Sequence, residues 1–174
     1  IKIMCLNSPS QQLIATALPW HKIQWYAPDG VTKLPQAPFP PTNKVDTIPY
    51  WVSQISDTFG CESPKKPVVA IIDDLPKPLI GGNSPTVCVG DTALIILPTT
   101  DLNYTYIIYN AATGGDSITS GIGTGGQITM KASVPVFSNT RYYIEIINTN
   151  QCHGPSRTPV DIKVELLPPM PDAK

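Results

Sequence analysis

The sequence predicts an all-β chain of two tandem β-sandwich domains, each closed by one disulfide. Three observations carry that prediction. Short alternating apolar runs are cut by proline and glycine, a set of landmarks occurs twice in the same order, and four cysteines divide two and two between the copies.

The strands follow from alternation. Val160, Ile162, Val164 and Leu166 alternate with Asp161, Lys163 and Glu165, the pattern of a strand with one buried face. Tyr142, Ile144 and Ile146 form a second apolar face. Ile23 and Trp25 point one way, while Lys22, Gln24 and Tyr26 point the other. The chain holds 20 prolines, where average usage of about 5% would give about nine. They stand between the apolar runs, which argues against long helices.

The landmarks establish an internal duplication. Trp25 stands twenty residues after Cys5, and Ile108 twenty after Cys88. Each is followed by a tyrosine, Tyr26 or Tyr109, and then by a turn, Ala27–Gly30 or Asn110–Gly115. Tyr50-Trp51-Val52 answers Tyr142-Tyr143-Ile144, Cys61-Glu62-Ser63-Pro64 answers Cys152-His153-Gly154-Pro155, and Pro67-Val68 answers Pro159-Val160. The first domain is therefore placed at 1–74, a Pro/Gly linker at 75–85, and the second domain at 86–167. Residues 168–174 read as a linker toward a further domain.

None of the cysteines forms a Cys-x-x-Cys pair and no histidine sits at zinc-finger spacing, so disulfides are expected rather than metal. Four cysteines allow three connectivities. The repeat selects pairing within each copy, Cys5–Cys61 and Cys88–Cys152.

At 174 residues the chain has room for one large domain or two small ones. Its net charge of -1 gives no footprint for nucleic acid or an anionic membrane surface. Charged residues make up 14%, below the roughly 25% of ordinary soluble domains. No apolar run approaches the ~20 residues that span a bilayer. Ile1 opens directly on a strand-like Ile1–Met4, so no signal peptide is read, and a fragment cut from a longer array is expected.

At Cys88-Val89-Gly90-Asp91, Trp25-Tyr26, Tyr50-Trp51-Val52 and Cys61-Glu62-Ser63-Pro64 the chain resembles the immunoglobulin-like domains repeated in large secreted proteins of the Bacteroidota. The resemblance spans nearly the whole chain. It departs from the pattern at Ile108, where a tryptophan is expected, at Leu6-Asn7, where Gly-Asp is expected, and in an insertion in the second copy. It implies an immunoglobulin-like sandwich, an extracellular location, and export by the type IX system. It also implies a structural, display or adhesive role of the kind found in gliding-motility adhesins of the SprB type. The alternative it carries is a carbohydrate-binding or accessory module beside the catalytic domain of a secreted hydrolase. Neighbouring repeats of the same polypeptide are the implied partners, with surface polysaccharide or other cell-surface proteins as further candidates.

Catalysis needs convergent titratable groups. The two histidines, His21 and His153, lie one in each copy without a recurring Ser or Asp partner, and Glu62, Glu145 and Glu165 are the only glutamates. No catalytic residue is assigned and the chain is read as a non-enzyme. Gly114–Gly126 lacks the lysine and helix of a phosphate loop, and reads instead as a long flexible hairpin, the best candidate for a divergent binding loop. Trp20, Trp25, Tyr26, Tyr50 and Trp51 are either a sugar-stacking platform or core; Trp25 and Tyr50 are read as core. Asp73 and Asp74 are candidate Ca²⁺ ligands at the junction, with Asp101 and Asn83 as further oxygen donors; no other metal or cofactor is expected.

The resemblance adds candidate O-glycosylation at Thr47, Thr92 and Ser117. Asp46-Thr47-Ile48, Asp91-Thr92-Ala93 and Asp116-Ser117-Ile118 place Asp before a hydroxyl and a small or aliphatic residue after it, and Asp57-Thr58-Phe59 is a looser match. The competing reading is local: Asp beside Ser or Thr favours turns through side-chain to backbone hydrogen bonds.

Overall fold

The computed structural model describes residues 1–79 and 83–170. Residues 80–82 of the expected linker and 171–174 of the tail lie outside the described residues. Every regular element is a strand, and there is no helix among the described residues. The chain divides into two compact units, Ile1–Asp74 and Leu75–Lys174. The division puts the described residues of 75–85 with the second unit, where Leu79 packs against the core.

The first unit contains strands β1 (Lys2–Cys5), β2 (His21–Tyr26), β3 (Lys33–Leu34), β4 (Asp46–Ser56) and β5 (Lys66–Asp73), in one sheet of order β1-β5-β4-β2-β3. The second contains β6 (Thr86–Cys88), β7 (Thr92–Leu97), β8 (Thr105–Tyr109), β9 (Ser117–Ile122), β10 (Ile128–Pro135), β11 (Thr140–Ile147) and β12 (Thr158–Glu165). Its five-stranded sheet has order β6-β12-β11-β8-β9, and β7 pairs with β10 in a second sheet. The two five-stranded sheets share one topology. In each, the first strand runs parallel to the last and every other pairing is antiparallel.

Register confirms the duplication residue by residue. Trp25 faces Val52 and Tyr26 faces Trp51; Ile108 faces Ile144 and Tyr109 faces Tyr143. Trp25 is 5% exposed and packs among Met4, Tyr50, Val52, Ala70 and Ile72, while Ile108 is fully buried among Ile95, Ile144 and Ile162. The departure at Leu6-Asn7 leaves the turn intact. Asn7 has φ of 60° where Gly90 has 88°, and the bond from Ser8 N to Cys5 O matches that from Asp91 N to Cys88 O. Asparagine is among the few residues that tolerate the left-handed region.

Two expectations are corrected. The Gly-rich stretch 114–126 is not a long free hairpin: its centre is β9, paired with β8 over Ser117–Ile122. Gly123 is held so closely that a Cβ there would overlap the carbonyl oxygen of Asp101.

The second correction concerns the cysteines. Cys61 and Cys88 carry free, exposed thiols, so neither Cys5–Cys61 nor Cys88–Cys152 is formed. Strand direction is the reason. Because β1 is parallel to β5, Cys5 pairs with Asp73 at the far end of β5. Cys61 lies in the hairpin before β5 begins, where its carbonyl accepts from Ser56 N. Eight residues of strand separate the two ends, about 23 Å, against a Cα limit of about 7 Å for a disulfide. The second unit repeats the geometry, with Cys88 beside Glu165 at the end of β12 and Cys152 in the hairpin before Thr158.

Candidate functional site

Each unit has a cluster of paired ionisable side chains at the hairpin that precedes the last strand. That hairpin is built alike in both. Ile55 bridges Glu62 as Ile147 bridges His153, Ser63 N donates to Gln54 O as Gly154 N does to Ile146 O, and a residue with positive φ, Gly60 or Gln151, precedes the cysteine.

In the first unit the turn after β2 folds under this hairpin. Lys65 lies over the Tyr26 ring, 3.8 Å from its centroid, and its Nζ donates to Gly30 O at 2.7 Å. Glu62 accepts from the Tyr26 hydroxyl and from Ser53 Oγ at 2.6 Å, and Lys33 Nζ stands 3.9 Å from its other oxygen. Alternation had put Tyr26 on the solvent side of β2; it lies on that face, yet only 2% exposed. The bonds from Ser53 and Tyr26 hold the Glu62 carboxyl below the usual carboxylate range. The carboxylate in turn raises the Tyr26 phenol, with burial adding to it.

The second unit performs the same function with different chemistry. Arg157 stacks on Tyr109 at 3.4 Å from the ring centroid and donates through Nη1 to Ala111 O at 2.9 Å and Gly114 O at 2.6 Å. Its Nη2 donates to Glu145 Oε2 at 3.2 Å, and His153 Nδ1 lies 2.7 Å from Glu145 Oε1. Burial pushes the Glu145 carboxyl up, but the hydrogen bond from His153 and the charge and hydrogen bond of Arg157 together hold it below the usual range. Glu145 stands where Ser53 stands in the first unit, and His153 where Glu62 stands. The pair has exchanged its acid across the two strands.

These clusters fix turns. Lys65 and Arg157 were missed in the sequence, although each stands two residues before the recurring Pro67 or Pro159. His21 Nδ1 lies 2.8 Å from Pro19 O and joins neither cluster.

The aromatic platform does not assemble. Trp25, Tyr26 and Tyr50 are buried, and Trp51 is half-buried against Gly30. Trp20 alone stands clear, 81% exposed at φ of 63°, its carbonyl bonded by Asp57 N at 3.0 Å. A shallow groove of about 480 Å³ has Ile14, Leu18, Ile23, Val52, Gln54 and Pro64 in its lining, and Trp20 is not part of it.

Thr47, Thr92 and Ser117 each lie at or next to the start of a strand, β4, β7 and β9. Thr47 and Ser117 are exposed and Thr92 is half-buried. Asp46 Oδ1 accepts from Thr47 N at 2.8 Å, as the local reading requires. Asp73 Oδ1 accepts from Asp74 N, and Asn83 Oδ1 accepts from Ile96 N. Among the described residues no three of His, Cys, Asp and Glu gather as a metal site. No helix of the described residues is long and apolar enough to cross a membrane.

Residues 76–165 match the family model described as Ig-like domain, CHU_C associated. No curated protein matches the chain. Among solved structures, SGBP-B of the Bacteroides ovatus mixed-linkage glucan utilization locus, in complex with a mixed-linkage heptasaccharide, is 11% identical over 92% of this chain, with a TM-score of 0.31. The I67–I69 fragment of the titin I-band is 9% identical over 96%, TM-score 0.39. The N-terminal Ig1-2 module of the Drosophila receptor tyrosine phosphatase DLAR is 14% identical over 83% of this chain and 84% of its own, TM-score 0.31. The chain spans 42% of the Bacteroides structure and 62% of the titin fragment.

Proposed function

Because the chain belongs to the Ig-like domain family associated with CHU_C, we propose that it is a non-catalytic structural and display segment of a large cell-surface protein. The parent is an adhesin or filament of the SprB kind, exported by a Bacteroidota secretion system and held outside the cell. Neighbouring modules of the same polypeptide are its first partners.

One observation carries the reading. The acid, base and cation groups gathered at the two hairpins are spent on architecture. Lys65 holds the turn at Gly30 while Glu62 takes the Tyr26 and Ser53 hydroxyls, and Arg157 holds the turn at Ala111 and Gly114 while Glu145 pairs with it and with His153. Each cluster is closed over a tyrosine ring by a cation that also donates to main-chain carbonyls.

The accessory-module reading rests on Trp20, an exposed ring on a backbone held at a costly φ, which is how a binding anchor is often presented. Affinity electrophoresis of the purified chain against soluble polysaccharides, with a reducing-sugar assay beside it, separates the readings. A display segment shows neither retardation nor sugar release. Retardation that Trp20→Ala abolishes would move the chain to the carbohydrate-binding class, and sugar release would overturn the non-catalytic assignment. Glycans on Thr47, Thr92 and Ser117 belong to the same proposal, and the intact mass of the native protein tests them.

A further inference from the structure

The two five-stranded sheets share one topology, so their outer faces can be compared rung by rung. On the first sheet, the side opposite Met4, Trp25, Tyr50 and Ala70 carries Ile3 and Thr47 flanking Ile71, then Val69 beside Pro49, then Pro67 beside Trp51. Those seven side chains carry no charge. Ile3 is 42% exposed, Thr47, Pro49 and Pro67 are exposed, and Val69, Ile71 and Trp51 are half-buried. On the second sheet the same rungs carry Thr86 beside Lys163, Arg141 beside Asp161, and Tyr143 beside Pro159. Arg141 holds Asp161 there by two bonds, at 2.6 and 3.1 Å. Where the second domain has Arg141, Asp161, Lys163 and Thr86, the first has Pro49, Val69, Ile71 and Ile3. The fold does not require the change, because the second domain is built on the same sheet without it. A contiguous apolar row on the solvent side of a sheet marks a surface that another protein covers.

The charges around this row are a second, independent observation, and they say what covers it. They keep to its two ends. At the Trp51 end stand Lys22, Lys33 and Lys65 with one acid, Glu62. At the other end Asp73 and Asp74 follow Ile71. Such a face is complementary to itself. A two-fold axis lying between two copies, across their strands, runs the strands of one against those of the other. It sets apolar row on apolar row and the basic end of each copy over the acidic end of its mate. The size is sufficient. Strands β1, β5, β4 and β2 span the face, and β5 is eight residues long. At about 4.8 Å per strand and about 3.3 Å per residue the face covers about 500 Å² per copy. The pair would bury about 1,000 Å², the lower bound for a specific interface, which fits reversible association.

We propose that the outer face of the first domain's sheet is a self-association surface, and that its partner is the same face of a second copy, packed with the strands running in opposite directions. Val69 and Ile71 lie at its centre, and Lys65 of each copy meets Asp73 of the other. Thr47 stands in the row beside Ile71, so a glycan on it and the pair exclude one another. The inference stands on the sheet and its charges, and does not depend on the display-segment reading.

Sedimentation velocity of the unglycosylated chain tests this, with the free thiols of Cys61 and Cys88 alkylated so that no cross-link contributes. A reversible dimer is expected. Placing the second domain's residues at the matching rungs, Pro49→Arg, Val69→Asp and Ile71→Lys together, should weaken it about a hundredfold. The second domain already folds with those residues, and an unchanged urea midpoint by tryptophan fluorescence checks that the first does too. Lys65→Glu and Asp73→Lys should each weaken the dimer about tenfold, and an equimolar mixture of the two variants should restore it, because each then offers the charge the other lacks. If the triple variant loses its fold, the mixture decides alone. A chain still monomeric at about 1 mM, a dimer indifferent to the triple substitution in a folded chain, or a mixture no stronger than its parts would each overturn the proposal. None of these results bears on polysaccharide retardation or sugar release, so the display-segment reading is judged separately.

Discussion

In the second domain the apolar face of the five-stranded sheet is covered by a ladder, β7 on β10, with Ile95, Leu97, Met130 and Ala132 buried beneath it. In the first domain the same role falls to coil. Residues 7–13 and 37–42 run side by side in opposite directions, joined by bonds from Asn7 N to Thr42 O and from Leu13 N to Pro38 O. Side chains do the rest: Thr42 Oγ1 donates to Ser8 O, Ser10 Oγ to Pro40 O, and Gln12 Nε2 to Ala37 O. Pro9, Pro38, Pro40 and Pro41 have no N–H to give, so no regular ladder can form there. The contrast shows that a sandwich needs an apolar second layer with its polar groups satisfied, and that strands are only one way to build it.

Core substitutions test the comparison most severely. Trp25→Ala removes the largest side chain of the first core and should cost about 3–5 kcal/mol in urea unfolding. The three tryptophans, Trp20, Trp25 and Trp51, all lie in the first domain, so fluorescence reports that domain selectively. A loss under about 1 kcal/mol would mean the coil layer leaves the core loose. Leu13→Ala probes the coil itself. Leu13 is 2% exposed, and about 2–4 kcal/mol is expected, in the range for a buried leucine under a true sheet. A negligible change would reduce the coil to a surface wrapping.

The paired turn clusters are expected to be unequal. Arg157 is largely buried and bonded to Glu145 and two carbonyls, so Arg157→Ala should cost the second domain about 2–3 kcal/mol. Lys65 is exposed and held by one bond and one ring, and Lys65→Ala should cost about 0.5–1 kcal/mol. Equal losses would contradict the difference in burial. At the shared first turn, Asn7→Ala should cost about 1 kcal/mol and Asn7→Gly only a few tenths, because the φ of 60° is what the position demands.

Acid gives the smallest and broadest effect. Glu62 and Glu145 both sit below the usual carboxylate range in the folded chain. Their stabilisation is complete above the unfolded-state value, about 4.3, and is lost as pH falls through the folded values. Urea midpoints measured from pH 7 down to pH 3 should fall in both domains, and Glu62→Gln should flatten the fall in the first domain only.

The duplication, the strands and the core were legible in the residues, because Tyr50, Tyr142 and Ile144 obey alternation and Trp25 and Ile108 stand at the same offset from Cys5 and Cys88. Strand direction was not. Nothing in Lys2–Cys5 says whether it will lie parallel or antiparallel to Lys66–Asp73, and that choice alone carries Cys5 away from Cys61. Period-two reasoning likewise assigned Tyr26 a face correctly but could not foresee Lys65 folding over it from the far side of a hairpin. The first-domain cover was hidden for a related reason. Its proline-rich stretch reads as a loop, and only Leu13 and Ala37 against the sheet reveal it as a layer.

The parallel pairing of first and last strands also decides how a domain meets tension. When the two ends of the first domain are drawn apart, β1 and β5 are pulled in opposite senses along their common axis. The ladder from Lys2 opposite Ala70 to Cys5 opposite Asp73 is then loaded in shear, with its rungs strained together. A hairpin pulled from its open end would instead lose its rungs singly, in succession. In the second domain the same load falls on the shorter ladder from Thr86 to Cys88 against Lys163 to Glu165. A chain of such modules therefore resists stretching through its first strands, and the domain with the shorter ladder gives way first.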